Sequence, residues 1–292
     1  GSEMCIRDRY YMEEISSISI GCIGCGTMGG SIFKAITSKY SPKNIYVTTK
    51  HPQKAADFAK ETGCNALESN LELAKKCRYI FLAVKPAFIK SVLTEIRDAF
   101  TEEKIIVSMA AGLSLSKLEA ACKPSELSAQ DSTFVMPHLV RIMPNLPAVY
   151  GEAMTAVCAS DDIPQEEIET VKELLSTAGK VERVPEKLMD GVTAISGSGP
   201  AYAFLFIEAL ADAAVKFGFP RAQAYTYAAQ TLKGAALMAL EDERSISELK
   251  DAVCSPSGTT IEAVISLERH GFRGTVIDAA TAAYNKSVNM NS

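Results

Sequence analysis

An aliphatic run, Ile18 to Ile23, breaks into Gly24-Cys25-Gly26-Thr27-Met28-Gly29 and resumes as an amphipathic stretch from Met28 to Lys39. A buried strand, a glycine turn and a helix, in that order, restrict the fold more than any other feature of the chain. The spacing is GxGxxG. Its first glycine permits a tight turn, its second lets backbone approach an anion such as a pyrophosphate, and its third lets the helix pack closely on the strand. The helix then turns unpaired amides and a positive dipole end toward whatever the turn receives. Glycine-rich turns are common, so the motif carries weight only in its strand-turn-helix setting, which this chain supplies.

The alternation continues beyond the turn. Short β-branched or aliphatic runs at Ile45 to Thr48, Tyr79 to Val84, Ile105 to Met109 and Leu139 to Met143 predict buried strands. Amphipathic stretches at Pro52 to Glu61, Leu71 to Lys76, Pro86 to Phe100 and Ser114 to Ala120 predict helices between them, some with proline in the first turn. Strand and helix in succession imply a parallel, doubly wound sheet. After Val157, a helix over Pro164 to Thr177 and a short run from Lys180 to Val184 close the pattern. From Pro185 onward no strand signal survives. Ala-rich helices are expected at Pro200 to Phe217, Arg221 to Leu240, Ser247 to Val253, Thr260 to His270 and Thr275 to Val288. Segments such as Ala201-Tyr202-Ala203-Phe204-Leu205-Phe206-Ile207 are apolar around most of the helix, more than a small monomeric bundle can bury, so an oligomer is expected.

A dinucleotide fold that selects NAD places an acid at the end of its second strand, to accept bonds from the ribose 2′-hydroxyl. Here Tyr46-Val47 leads instead into Thr48-Thr49-Lys50-His51, hydroxyls and cations suited to a 2′-phosphate, which favours NADPH over NADH. Two further loops, Ala83-Val84-Lys85-Pro86 and Met109-Ala110-Ala111-Gly112, fall at carboxyl ends of predicted strands, where such sheets bind ligands. The formal charge of −5 and the scattered basic residues leave no footprint for nucleic acid, and the apolar runs of the first half are too short to cross a bilayer. Eight cysteines, several in apolar surroundings, read as reduced thiols in a cytoplasmic protein. No metal-ligand spacing stands out.

In the helical half, Ser196-Gly197-Ser198-Gly199-Pro200 and Ser255-Pro256-Ser257-Gly258-Thr259-Thr260 each open a helix and are not explained by core packing. Thr259 and Glu262 have capping-box spacing. Gly258 followed by two hydroxyl residues favours an anion, such as a substrate carboxylate, at that helix start.

Taken together, Ile23-Gly24-x-Gly26-x-Met28, Phe81 to Pro86, Ile195 to Tyr202, and Leu249-Lys250-Asp251 followed by Val253-x-Ser255-Pro256-x-Gly258-x-Thr260 resemble pyrroline-5-carboxylate reductases, from about Ile18 to the last helix. The resemblance implies reduction of 1-pyrroline-5-carboxylate, a cyclic imino acid, to proline by NADPH or NADH. It implies a cofactor shell of Ile23, Gly24, Cys25, Gly26, Thr27, Met28, Thr49, Lys50, Asn70, Ala83, Val84, Lys85, Pro86, Met109, Ala110 and Ala111. Glu243, Val253, Ser255, Gly258, Thr259 and Thr260 are implied at the substrate, with Thr260 and Glu243 catalytic. It also implies a homodimer with interleaved C-terminal helices, assembling into larger rings. Ser257 stands where that family usually has glycine or another small residue. The expected fold class is therefore α/β: an N-terminal Rossmann-type doubly wound sheet over 17–179, then an all-α substrate and dimerisation domain over 180–292. Residues 1–16, without apolar period, read as a non-native or disordered leader.

Carbonyl reduction needs a proton donor at the developing alkoxide. None of His51, His138 and His270 falls in the substrate segments. A cyclic imine arrives already protonated on nitrogen and accepts hydride directly, so the protein supplies mainly orientation and electrostatics. The expectation is that amides of Gly258 to Thr260 hold the carboxylate and the Thr260 hydroxyl bonds the ring nitrogen. Two other readings share the Rossmann half: a β-hydroxyacid dehydrogenase, whose catalytic lysine has no counterpart in Ala201 to Val215, and a dinucleotide sensor without turnover.

Overall fold

The computed structural model describes residues 17–124 and 134–291; the leader assigned to 1–16 lies outside them. Eight strands form one sheet: β1 (Ile20–Ile23), β2 (Ile45–Thr48), β3 (Asn65–Ala66), β4 (Tyr79–Leu82), β5 (Ile105–Ser108), β6 (His138–Met143), β7 (Ala153–Ala159) and β8 (Gly179–Arg183). Their spatial order is β3-β2-β1-β4-β5-β6-β7-β8. The chain winds outward from β1 to β3, returns to the other side of β1, and continues from β4 to β8. The order reverses between β1 and β4, which is where sheets of this kind open a crevice at the carboxyl ends of their strands.

Helices α1 (Thr27–Lys39), α2 (Pro52–Thr62), α3 (Asn70–Lys76), α4 (Pro86–Ile96), α5 (Leu115–Cys122) and α6 (Gln165–Ser176) cover both faces of the sheet. Side chains alternate across a strand, so each strand feeds two cores. Cys22, Val47, Phe81, Val107 and Val140 pack with α1, α2 and α6, while Ile80, Leu82, Ile106 and Leu139 pack with α3, α4 and α5. Burial on both faces explains why these strands read as unbroken apolar runs.

The sheet is not parallel throughout. β7 runs antiparallel to β6, with Val140 opposite Ala159 and Met143 opposite Ala156. A parallel return needs a crossover of a dozen or more residues. The link between β6 and β7 holds only a one-turn segment, Leu146–Tyr150, so the chain folds straight back. β3, two residues long, is too short for any periodicity to reveal.

Beyond β8 come α7 (Met189–Val192), a π turn (Thr193–Gly197), α8 (Gly199–Lys216), α9 (Arg221–Glu241), α10 (Ile246–Val253), α11 (Thr259–Arg269) and α12 (Phe272–Asn291). One compact unit runs to Gly197 and takes in Tyr284 onward; the other is Ser198–Ala283. The first unit thus extends past the Gly179 boundary read from the sequence. Met189 is buried among Ala156 and Cys158 of β7, and Asn145 bonds the Ser196 carbonyl, so these residues belong to the sheet's packing. The second unit buries only Ala211, Ala224, Ala228 and Leu249, and leaves Leu205, Phe217 and Ile277 at 68%, 75% and 64% exposure. The helical stretch Glu186–Lys216, of mean hydropathy 1.2, is long and apolar enough to cross a membrane by length and composition alone.

Candidate cofactor and substrate sites

The turn after β1 has the geometry its glycines imply. Gly24 sits at φ +98°, and a Cβ there would come within 2.8 Å of the Ala83 carbonyl oxygen beyond β4. At Gly29 an added Cβ would meet the Ala83 Cβ at 2.6 Å and the Gly24 oxygen at 2.7 Å, so this glycine is required for α1 to lie against β4. At Gly26 nothing lies within 4 Å of an added Cβ. The second glycine faces open space, where an anion can approach. Gly26 is also the N-cap of α1, with no side-chain cap bond, so the first-turn amides are left to a ligand.

A cleft of about 630 Å³ lies over this edge, bordered by β1, β2 and β4. Ile23, Gly24, Cys25, Gly26, Thr49, Lys50, Asn70, Ala83, Val84 and Lys85, all among the residues singled out in the sequence, line it. Thr27 faces the neighbouring groove between α1 and α2, and Pro86 opens α4. Met28 and Met109 are partly buried against the core, and Ala110 is buried with its amide bonded to Ser108 Oγ at 3.3 Å. Ala111 follows at the carboxyl end of β5.

Among the wall residues that the sequence did not single out are Lys54 and Glu95. Thr48 is buried and donates to Asn70 Oδ1 at 2.7 Å, while Asn70 Nδ2 donates to Glu95 Oε2 at 2.9 Å. Thr48 is therefore a prop for Asn70 and not a ligand donor, and Glu95 is the far end of that chain. Thr49 Oγ1 already donates to the His51 carbonyl at 2.6 Å. The charged or ring donors facing the cleft are Lys50, His51, Lys85 and the missed Lys54, the last in the first turn of α2. Its spacing of four residues from Lys50 was the available signal.

In the second unit, α11 begins at Thr259 with Gly258 as N-cap and no side-chain cap bond. The capping-box spacing of Thr259 and Glu262 is not used, because Thr259 is already the first helical residue. Gly258 N–H donates to the Ser255 carbonyl at 3.0 Å, so the amides the helix leaves without an intrahelical partner are those of Thr259, Thr260 and Ile261. A Cβ on Gly258 would fall 2.2 Å from Ser255 Oγ and 3.1 Å from the Ser255 carbonyl oxygen, so a side chain there would displace the Ser255 hydroxyl. Ser257, at φ +53°, is the one non-glycine residue with positive φ among those described. Val253, at the end of α10, and Ser255 are exposed. Glu243 is exposed in the turn between α9 and α10, beside Asp242, whose carboxyl is pulled down to about 2 by its hydrogen bonds to Arg244.

Of the three histidines, only His270 belongs to the unit that carries this helix start. His270 closes the opposite end of α11, roughly 15 Å away at 1.5 Å per residue, with Nδ1 at 2.7 Å from the Ser266 carbonyl. His138 Nδ1 is 3.1 Å from Asp162 at the amino end of β6, and His51 lines the cleft. No group of three or more His, Cys, Asp or Glu able to hold a metal occurs among the described residues.

Residues 186–290 match the family described as pyrroline-5-carboxylate reductase dimerisation, and residues 19–112 match that described as NADP oxidoreductase coenzyme F420-dependent. The chain is 41% identical over 274 residues to the pyrroline-5-carboxylate reductase of Escherichia coli, covering 93% of this chain and 98% of the relative. It is 37% identical over 270 residues to that of Methanosarcina acetivorans, with 92% and 96% covered. Among solved structures, the Plasmodium falciparum pyrroline carboxylate reductase with NADP bound superposes with a TM-score of 0.81 at 33% identity, covering 95% of this chain and 99% of that one.

Proposed function

Since the chain belongs to the pyrroline-5-carboxylate reductase family, its reaction is the NAD(P)H-dependent reduction of 1-pyrroline-5-carboxylate to L-proline, the last step of proline biosynthesis, and we propose how its residues divide that task. The glycine turn and the first turn of α1 receive the pyrophosphate of NADPH. Lys50 and Lys54, with His51 beside them, face the 2′-phosphate, and Asn70, held by Thr48 and Glu95, forms the adenosine wall. Ala83 to Pro86 and Met109 to Ala111 border the remainder of the dinucleotide. NADH fits the same turn without using the cations.

The observation that carries the substrate assignment is the uncapped start of α11. The amides of Thr259 and Thr260 hold the carboxylate, aided by the helix dipole. Val253 and Ser255 border the ring, and the Gly258 amide stays in its own turn. The Thr260 hydroxyl oxygen accepts from the protonated ring nitrogen and so fixes the C=N carbon. The Glu243 carboxylate balances the iminium charge. The reduced nicotinamide supplies the hydride to that carbon. No proton has to be delivered in this step, so no general acid is needed at the α11 start.

The apolar surface of Ser198–Ala283 is covered by a second copy, giving a homodimer with interleaved C-terminal helices, and dimers join into a larger ring. The same cover accounts for the apolar stretch Glu186–Lys216 without a membrane. The enzyme works in the cytoplasm, where its seven described free thiols stay reduced.

Thr260→Ala tests the mechanism. Loss of one charge-assisted hydrogen bond, about 1.5–3 kcal/mol, lowers kcat/KM for pyrroline carboxylate by roughly ten- to a hundredfold and leaves NADPH affinity unchanged. Unchanged kinetics remove Thr260 from the reaction. A strong preference for NADH would overturn the roles given to Lys50, His51 and Lys54.

A further inference from the structure

The segment Ser196-Gly197-Ser198-Gly199-Pro200 has no role in the assignments above. It leads out of the π turn Thr193–Gly197. π turns are rare and concentrate at functional positions. This one is shaped locally by hydroxyls: Thr193 Oγ1 donates to the Met189 carbonyl at 2.9 Å, and Ser196 Oγ to the Val192 carbonyl at 3.0 Å. It is fastened from outside by Asn145, which is buried just beyond β6. Asn145 Nδ2 donates to the Ser196 carbonyl at 3.0 Å, and its Oδ1 accepts from the Met154 amide at 2.9 Å. One carboxamide thus ties the end of β6, the start of β7 and the π turn. The task needs a donor and an acceptor on the same short side chain, which neither aspartate nor leucine offers.

The register shows which edge this is. Ile23 pairs with Leu82, Leu82 with Ser108 and Ser108 with Arg141. Met143 to Asn145 therefore lie past the same carboxyl edge as Gly24, Ala83 and Met109. A dinucleotide crosses such an edge at the reversal between β1 and β4. Lys50, Lys54 and Asn70 mark the β2 side as the adenosine side, so the nicotinamide half is received on the side of β5 and β6.

Resting on the reductase reading, we infer that Asn145 is a positioning residue for hydride transfer: by holding the Ser196 carbonyl it fixes the π turn as a wall of the nicotinamide half-site beside Met109 to Ala111. Gly197 belongs to the same device, since Met143 Cε occupies the space where its Cβ would stand, at 2.9 Å. Asn145 itself touches neither ring nor substrate. It acts through the backbone of Ser196 and Gly197.

The test compares wild type, Asn145→Ala, Asn145→Asp and a control, Leu174→Ala, which removes a buried side chain of α6 without touching the Asn145 bonds or the π turn. Thermal midpoint, NADPH affinity by fluorescence titration, kcat, and the primary isotope effect with deuterated NADPH are measured for each. Because a misplacement of about 1 Å costs on the order of a hundredfold, both Asn145 variants should lose about ten- to a hundredfold in kcat, keep NADPH affinity within about threefold, and show a larger isotope effect. Leu174→Ala should lower the midpoint and leave kcat and the isotope effect unchanged. The inference is overturned if the Asn145 variants lose no more kcat than Leu174→Ala, or if NADPH affinity falls in step with kcat at an unchanged isotope effect. Failure of wild type to oxidise NADPH with pyrroline carboxylate would instead overturn the reductase reading.

Discussion

Gly26→Ala separates the cofactor role of the glycine turn from its structural role. A Cβ at Gly26 meets nothing within 4 Å, and the residue has φ −80° and ψ −162°, which alanine adopts without strain. Replacing glycine at a compatible position stabilises by about 0.4–1 kcal/mol through the unfolded chain. The thermal midpoint should therefore hold or rise by up to about 2–4 °C. In the proposed cofactor site the same methyl group stands where the pyrophosphate would meet the α1 amides. Losing one charge-assisted contact, about 1.5–3 kcal/mol, raises the Kd for NADPH by roughly ten- to a hundredfold. Gly29→Ala is the mirror case, because its Cβ would press into the Ala83 side chain and the Gly24 carbonyl. It should destabilise by about 1–3 kcal/mol, the cost of overpacking. Thermal melts with and without NADPH, together with fluorescence titration, read both effects. A Gly26→Ala protein that melts as early as Gly29→Ala while binding NADPH normally would refute the division of roles.

Ser257→Gly should relieve about 1 kcal/mol of left-handed backbone strain and raise the thermal midpoint by a few degrees; a lower midpoint would show that Ser257 has compensating contacts. Lys104→Met removes the ammonium that donates to the carbonyls of Ala74, Lys75 and Cys77 at the end of α3, and should cost about 1.5–3 kcal/mol by denaturant titration. Burial pushes the thiols of Cys77, Cys122 and Cys158 up to about 12, so near neutral pH they are almost entirely protonated. Among the seven described cysteines, iodoacetamide should therefore label Cys25 and Cys254 first, and saturating NADPH should slow labelling at Cys25 and not at Cys254, as read by peptide mass spectrometry.

What could be read before the structure depended on whether a residue's role is local. Gly24, Gly26 and Gly29 declare themselves because only glycine serves a tight turn, a close approach and a close packing at fixed spacing. The strands β1, β2, β4 and β5 were legible because burial on both faces leaves an unbroken apolar run. Strand direction is not written in side chains, so the antiparallel β7 could be inferred only from the short link after Met143. Thr48 looked like a ligand residue at the end of β2, whereas its hydroxyl is committed to Asn70, a partner 22 residues on. The capping-box spacing at Thr259 was misleading by one position: the helix starts there, and the cap is Gly258. Asn145 gave no signal at all, because its two partners, at Met154 and Ser196, meet only in the folded chain.

The central claim is that this chain passes hydride from a dinucleotide whose pyrophosphate is held at the Gly24 to Gly29 turn to a cyclic imine held at the start of α11. The direct measurement is NADPH oxidation followed spectrophotometrically on addition of pyrroline carboxylate, with proline assayed in the same samples. The account predicts one proline formed for each NADPH consumed. Tight NADPH binding with neither oxidation nor proline would contradict it.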